Sequence, residues 1–307
     1  MKPPIAICAA TLAAFLFAGG SASADRIDAG DVKAGTRVIQ SYDIEENFGG
    51  AALVGGGTAI CPPLTRVFTG GAYVHRTGFP EPTARRVAHV TNSAPTDSGS
   101  GWYADAVDRG NNPMTLRIIV RCLSELDEVD VQRISKTVDL GSDSGGKATA
   151  KCPDGFRAIT GGGYFTDGSG VHPDSEPSKF VSAVPTGDAR GWFARAVTFG
   201  SADLTVTVHC VDDDQLAGYE RKVAKTRLDG GKALVETTAC PDSHPVAGPA
   251  GTLIQKPDGK PAGNLDEGDF LISSGVLESI RKFAAAASIY FKDADPLTLV
   301  ARGFCLR

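Results

Sequence analysis

From residue 37 onward the chain repeats itself three times at a period of about 90 residues, and each copy opens and closes on a cysteine. A period of that length limits the fold more than any composition does, because whatever one copy forms must be formed three times and must pack on its neighbours. The second copy is the clearest, with CPDGFRAITGGGY from Cys152 to Tyr164, SAVPTGDARGWFARAV from Ser182 to Val197 and LTVTVHC from Leu204 to Cys210. The first answers it block by block: CPPLTRVFTGGAY from Cys61 to Tyr73, SAPTDSGSGWYADAV from Ser93 to Val107 and MTLRIIVRC from Met114 to Cys122. The third keeps the frame and loses detail, with CPDSHPVAGPAG from Cys240 to Gly251, KFAAAAS from Lys282 to Ser288 and LTLVARGFC from Leu297 to Cys305. Phe283 stands there in place of Trp102 and Trp192. The boundaries that follow are 37–127, 128–215 and 216–307, with 25–36 as an N-terminal arm.

Within a unit the pattern is β. Thr205-Val206-Thr207-Val208 alternates polar and β-branched residues, Leu116 to Arg121 nearly does, and clusters of Gly, Pro, Asp and Ser separate such runs. About five strands per unit are expected. The alanine-rich window from Val276 to Ser288 is compatible with a helix, but it aligns on strand positions of the other copies and is read as β. The segments between units contain strand-like runs of their own, Val131 to Leu140 and Tyr219 to Leu228, and lack Pro- or Ser-rich hinges. The fold expected is therefore all-β, three pseudo-symmetric repeats about a threefold axis in one prism-like domain with shared strands. Three tandem β-sandwich units are the alternative.

The start of the chain has the form of an export signal: Lys2, an apolar run from Ile5 to Phe17, and small residues ending Ala22-Ser23-Ala24. The run is too short to span a bilayer and no second one follows, so a secreted or periplasmic product beginning near Asp25 is expected, without membrane insertion. Cys8 lies in this signal, which leaves six of the seven cysteines. An even number in an oxidising compartment reads as disulfides. Two pairings respect the repeat. Pairing within copies joins Cys61 to Cys122, Cys152 to Cys210 and Cys240 to Cys305; cross-stitching would instead join Cys122 to Cys152, Cys210 to Cys240 and Cys305 to Cys61. The first is favoured because it staples the first strand of each unit to its last. The net charge of −5 comes without a cluster of basic residues in sequence, which argues against nucleic acid as a partner.

Catalytic patterns are scarce. The five histidines, His75, His89, His172, His209 and His244, fall in no metal-ligand or hydrolase spacing, and no cofactor motif is present. Gly161-Gly162-Gly163 lacks the following helix and the lysine of a phosphate loop, and reads as a strand passing close to other backbone or beneath its own tryptophan. Trp102 and Trp192 have two readings, plugs of the unit core or platforms for stacking a sugar. The acidic clusters Asp212 to Asp214, Asp266 to Asp269 and Asp293 to Asp295 form no recognised calcium loop and read as solvated turns. The longest insertions, 75–92, 166–180 and 252–270, occupy one slot in all three copies. They carry Arg85, Arg86 and His89 in the first, His172, Asp174 and Glu176 in the second, and Asp266, Glu267 and Asp269 in the third. Loops on a rigid scaffold are where binding chemistry concentrates, so these residues are the candidate ligand contacts.

The CPDGFRAITGGGY, GWFARAV and LTVTVHC blocks resemble a C-P-x-G, G-G-G, G-W and closing-cysteine repeat of secreted bacterial proteins. The resemblance covers nearly all of 37–307 and implies an extracytoplasmic β module; that family has no established activity, so no catalytic residue carries over. The function expected is a secreted, non-enzymatic binding or surface-interaction protein for an extracellular ligand such as a carbohydrate. A structural envelope component and an enzyme without a recognisable motif are the alternatives.

Overall fold

The computed structural model describes residues 32–34, 37–48, 54–77, 88–108, 113–124, 131–141, 145–166, 178–198, 200–215, 218–228, 231–243, 246–261, 270–276, 282–289 and 297–306. The export signal and most of the arm lie outside them. Among these residues the chain is β throughout, apart from one 3-10 turn at Asp213–Gln215. No helix is long and apolar enough to cross a membrane.

A short strand β1 (Val32–Ala34) precedes three runs of six strands. The first unit comprises β2 (Arg37–Phe48), β3 (Val54–Ile60), β4 (Thr65–Arg76), β5 (Ala88–Pro95), β6 (Gly101–Asp108) and β7 (Met114–Ser124). The second comprises β8 (Gln132–Asp139), β9 (Gly145–Lys151), β10 (Phe156–Thr166), β11 (Lys179–Pro185), β12 (Gly191–Val197) and β13 (Asp203–Asp212). The third comprises β14 (Tyr219–Leu228), β15 (Gly231–Glu236), β16 (Val246–Gln255), β17 (Phe270–Val276), β18 (Phe283–Ile289) and β19 (Leu297–Leu306). Six strands replace the five expected, since the glycine-rich second strand of each unit has weak intrinsic β preference. The alanine run forms β18, where neighbours on both sides outweigh its helix propensity.

The sheets do not coincide with the units. One sheet runs β1-β2-β7-β4-β17-β18-β15, the next β3-β6-β5-β10-β13-β8, and the last β14-β19-β16-β11-β12-β9. Each joins the first, third and sixth strands of one unit to the second, fourth and fifth of another, and the exchange is cyclic. Tandem independent sandwiches are thereby ruled out, because every sheet passes from one unit into the next.

Each unit nevertheless keeps a core between its two half-sheets. In the first it holds Val67, Val74, Trp102, Leu116 and Ile118, and in the second Phe165, Phe180, Trp192, Leu204 and Val206. The disulfides close within copies, Cys61 to Cys122, Cys152 to Cys210 and Cys240 to Cys305, with Cα separations of 5.6, 5.7 and 5.6 Å. Loops of 61, 58 and 65 residues each contribute about 4 kcal/mol in the chain-entropy model. A further apolar cluster at the cysteine end draws on all three units: Phe68 and Leu123, Ile159 and Val211, Phe304 and Leu306.

The paired glycines have two separate jobs. A Cβ on Gly70 would collide with the Trp102 ring, and one on Gly161 would lie 2.6 Å from Cδ2 of Trp192. The second glycine sits at the seam between units, where a Cβ on Gly162 would come 2.6 Å from Cα of Ala94 and one on Gly251 2.6 Å from Cα of Val184. In the third unit Ala250 replaces the first glycine, and Gly303, its cross-strand partner, lies beneath Phe283 instead. Sheet pairing at the seams is slight, a single residue pair at Ser93 and Gly163 and another at Ala183 and Thr252. Side chains reinforce it: Asn92 Oδ1 accepts the Phe165 amide at 2.7 Å, and Ser182 Oγ accepts the Ile254 amide at 3.2 Å.

Candidate functional site

Strands β2, β7 and β4 turn alternate side chains away from the first unit's core, and that outward face collects polar residues. Register sets them in rows. Glu45, Arg117 and Tyr73 face one another across the three strands, Asn47, Thr115 and His75 form the next row, and Asp43 lies two residues before Glu45 on β2. Arg117 is the hub. Its Nε donates to Asp43 Oδ2 at 2.7 Å and stands 3.8 Å from Glu45 Oε1, while Nη1 donates to the Tyr73 hydroxyl at 3.2 Å. His75 Nε2 is 3.9 Å from Glu45 Oε1, and its ring lies 5.9 Å from that of Tyr73. Thr115 Oγ1 donates to Asn47 Oδ1 at 2.8 Å and meets Thr77 Oγ1 at 3.1 Å.

Asp43, Tyr73, His75 and Arg117 are buried, whereas the Glu45 side chain is 53% exposed. Burial by itself works against the Arg117 charge, but Tyr73 and Asp43 outweigh it and hold the guanidinium's pKa above its ordinary value. The result is a fixed cation beneath an accessible carboxylate, with a phenol and an imidazole alongside. Such a group of preset donors and acceptors suits a polar ligand that both gives and takes hydrogen bonds.

The same outward slots carry different chemistry elsewhere. In the second unit they hold hydroxyls, with Thr137 Oγ1 at 2.9 Å from Thr205 Oγ1 and Ser135 Oγ donating to Thr207 Oγ1 at 3.2 Å. In the third they hold Val223, Lys225, Val300, Arg302 and Leu253. The cluster therefore belongs to the first unit alone.

Trp102 and Trp192 are each 2% exposed, so neither offers a ring face to a sugar. Both lie in unit cores, and the stacking reading is corrected accordingly. Trp102 Nε1 donates to Ser93 Oγ at 2.9 Å; the equivalent of Ser93 in the second unit is Ala183, and Trp192 Nε1 has no partner among the described residues. His89 also departs from expectation: it sits on β5 opposite Val107, 2% exposed. Arg85, Arg86, His172, Asp174, Glu176, Asp266, Glu267 and Asp269 lie outside the described residues. Their anchors are described, and each of these loops follows the third strand of its unit, after Arg76, Thr166 and Gln255. His75 immediately precedes Arg76, so the cluster borders the first of these slots. Sequence reasoning missed it, although polar residues at i and i+2 in Asp43-Glu45-Asn47, Tyr73-His75 and Thr115-Arg117 were a visible sign.

Among the described residues no group of three or more His, Cys, Asp or Glu is placed to hold a metal ion. No protein-family model matches the chain, and no curated protein is similar to it.

Proposed function

We propose that this is an extracytoplasmic binding protein, a disulfide-stapled β scaffold that recognises a polar, hydroxyl-rich ligand such as a surface glycan through the Asp43, Glu45, Tyr73, His75 and Arg117 face of its first unit. One observation carries the reading. The inward positions of the three copies keep the same roles, while the outward slots have diverged into a charged cluster, a hydroxyl row and a cationic set. Divergence confined to one face of a repeated scaffold fits recognition, because packing constrains the inward face and a ligand would constrain the outward one.

The exposed Glu45 is the group a ligand would meet first, with the buried His75 ring beside it. Glycan-array binding of the wild-type protein and of the Glu45→Ala/His75→Ala variant tests the reading. The expected result is binding to a defined subset of glycans that falls tenfold or more in the variant, with all three disulfides and the unfolding midpoint retained. Equal binding by the folded variant would remove this face from recognition.

A further inference from the structure

The turn between β3 and β4 carries an apolar tip that neither its backbone nor its packing calls for. Pro62 to Thr65 form a tight turn closed by the Thr65 amide on the Pro62 carbonyl at 3.2 Å, with Leu64 at φ +66°. A proline in second place and a left-handed third residue make this a type II turn, whose third position favours glycine. The second unit obeys the rule: Pro153 to Phe156 close the same turn at 3.1 Å, with Gly155 at φ +83°. A leucine there presses its Cβ against its own backbone and strains the turn. Nothing is recovered by packing, since Leu64 is 79% exposed.

The rest of the tip departs in the same direction. Ile60, the last residue of β3, is 65% exposed, and Pro63 is exposed as well. Ile60 pairs with Gly101 as Lys151 pairs with Gly191, and Pro63 lies two residues after its opening cysteine, as do Asp154 and Asp242. Where the second unit exposes Lys151, Asp154 and Gly155, and the third Ala239, Asp242 and Ser243, the first exposes Ile60, Pro63 and Leu64. Among the described residues four large hydrophobics stand exposed, Ile60, Leu64, Val223 and Leu234, and two of them sit in this one turn. The scaffold therefore folds with polar or small residues at these positions. An apolar set kept there at a cost in backbone strain is accounted for by contact outside the chain.

Shape and size select the partner. The tip is the convex end of a strand connection, flanked by the exposed Arg66 and by the polar turn to which Arg66 Nη1 donates, at the Ser98 carbonyl. Three side chains supply only a small part of the roughly 800 Å² that each partner contributes to a standard protein interface. Two copies meeting tip to tip double that area without reaching the roughly 1,200 Å² at which such interfaces begin. A bilayer asks less, because its interface takes in apolar side chains to a depth of about 5–10 Å without a matching surface. We infer that this tip seats the protein on a phospholipid surface, with Ile60, Pro63 and Leu64 dipping into the interface. The contact is shallow and needs no spanning segment. Strand β4 runs from Thr65 beside the tip to His75 in the Arg117 cluster, roughly 30 Å along the strand, so the two sites lie at opposite ends of it. Lipid contact at the tip stands or falls independently of ligand binding at the cluster.

The test is sedimentation with phosphatidylcholine vesicles at low and high salt. The wild type is compared with Ile60→Lys/Leu64→Gly, which installs the second unit's residues, and with Leu234→Lys on β15, where another apolar side chain is exposed. The expected result is wild-type binding that high salt leaves intact, a tenfold or greater loss in the double variant and none in Leu234→Lys, all disulfides being kept. Leu64→Gly alone should weaken binding while holding or raising the unfolding midpoint, an outcome that a leucine serving the fold would not give. Leu64→Trp places a reporter on the tip without removing its apolar character, and brominated phosphatidylcholine should quench its emission. No wild-type binding, binding abolished by high salt, a smaller loss in the double variant, an equal loss in Leu234→Lys, a lowered midpoint in Leu64→Gly or unquenched emission from Leu64→Trp would each overturn the inference. A concentration-dependent dimer lost in the double variant would overturn it too, by assigning the tip to a second copy of the chain.

Discussion

Replacing Gly161 by Ala probes the packing on which each unit depends. The added Cβ would lie 2.6 Å from Trp192 Cδ2 and 2.8 Å from the Thr207 carbonyl oxygen. Ordinary contact requires the ring to withdraw by roughly 1 Å, and a ring only 2% exposed in a close-packed core has nowhere to go. Overpacking of this kind costs about 1–3 kcal/mol, while loss of glycine's freedom in the unfolded chain returns about 0.4–1 kcal/mol, so a net destabilisation of about 1–2 kcal/mol is expected. The third unit shows what relieves it, since Ala250 there coexists with the smaller Phe283. Trp192→Phe alone should cost on the order of 2 kcal/mol through lost ring volume. In the Trp192→Phe background, however, Gly161→Ala should cost distinctly less, because the methyl enters space the indole has left. The Thr207 contact is common to both backgrounds and drops out of the comparison. Urea unfolding followed by far-ultraviolet circular dichroism, with disulfides intact, gives the four free energies of the cycle. A coupling of about 1–2 kcal/mol is expected from the overpacking relieved. A Gly161→Ala cost equal in both backgrounds to within about 0.5 kcal/mol, the limit of simple additivity, would refute a glycine kept for the ring.

Two further outcomes follow from differences among the copies. Ala183→Ser should give Trp192 Nε1 the acceptor that Ser93 gives Trp102, raising stability by about 0.5–1.5 kcal/mol, and a lowered denaturation midpoint would contradict it. His209 is buried in the slot that Phe304 fills in the third unit, and burial, then Arg133, hold its pKa down at about 4 against the pull of Asp97. Its folded pKa lies below the unfolded value of about 6.5, so the unfolded chain binds the extra proton and stability falls as pH drops from about 6.5 to about 4, by on the order of 3 kcal/mol in full. His209→Phe should flatten that part of the stability profile, and an unchanged slope would assign it to other groups.

The repeated unit, its β character and the pairing of its cysteines were legible in the chain because each rests on patterns within about 90 residues: a two-residue periodicity, turn-forming clusters, and a cysteine at each end of a block. Even the glycine beneath the tryptophan could be anticipated, since a residue without a side chain in a strand implies something pressed against it. Which unit lends its strands to which sheet was decided by tertiary structure, as were the outward faces. Asp43, Tyr73 and Arg117 come from three strands, so their meeting depends on cross-strand register between distant segments. Register is set by how the inward side chains pack, and only after that packing do the outward residues acquire neighbours. For the tryptophans the sequence left two readings, core plug and stacking platform, and the tertiary structure decided for the core, where a large apolar ring gains more than it would in solvent.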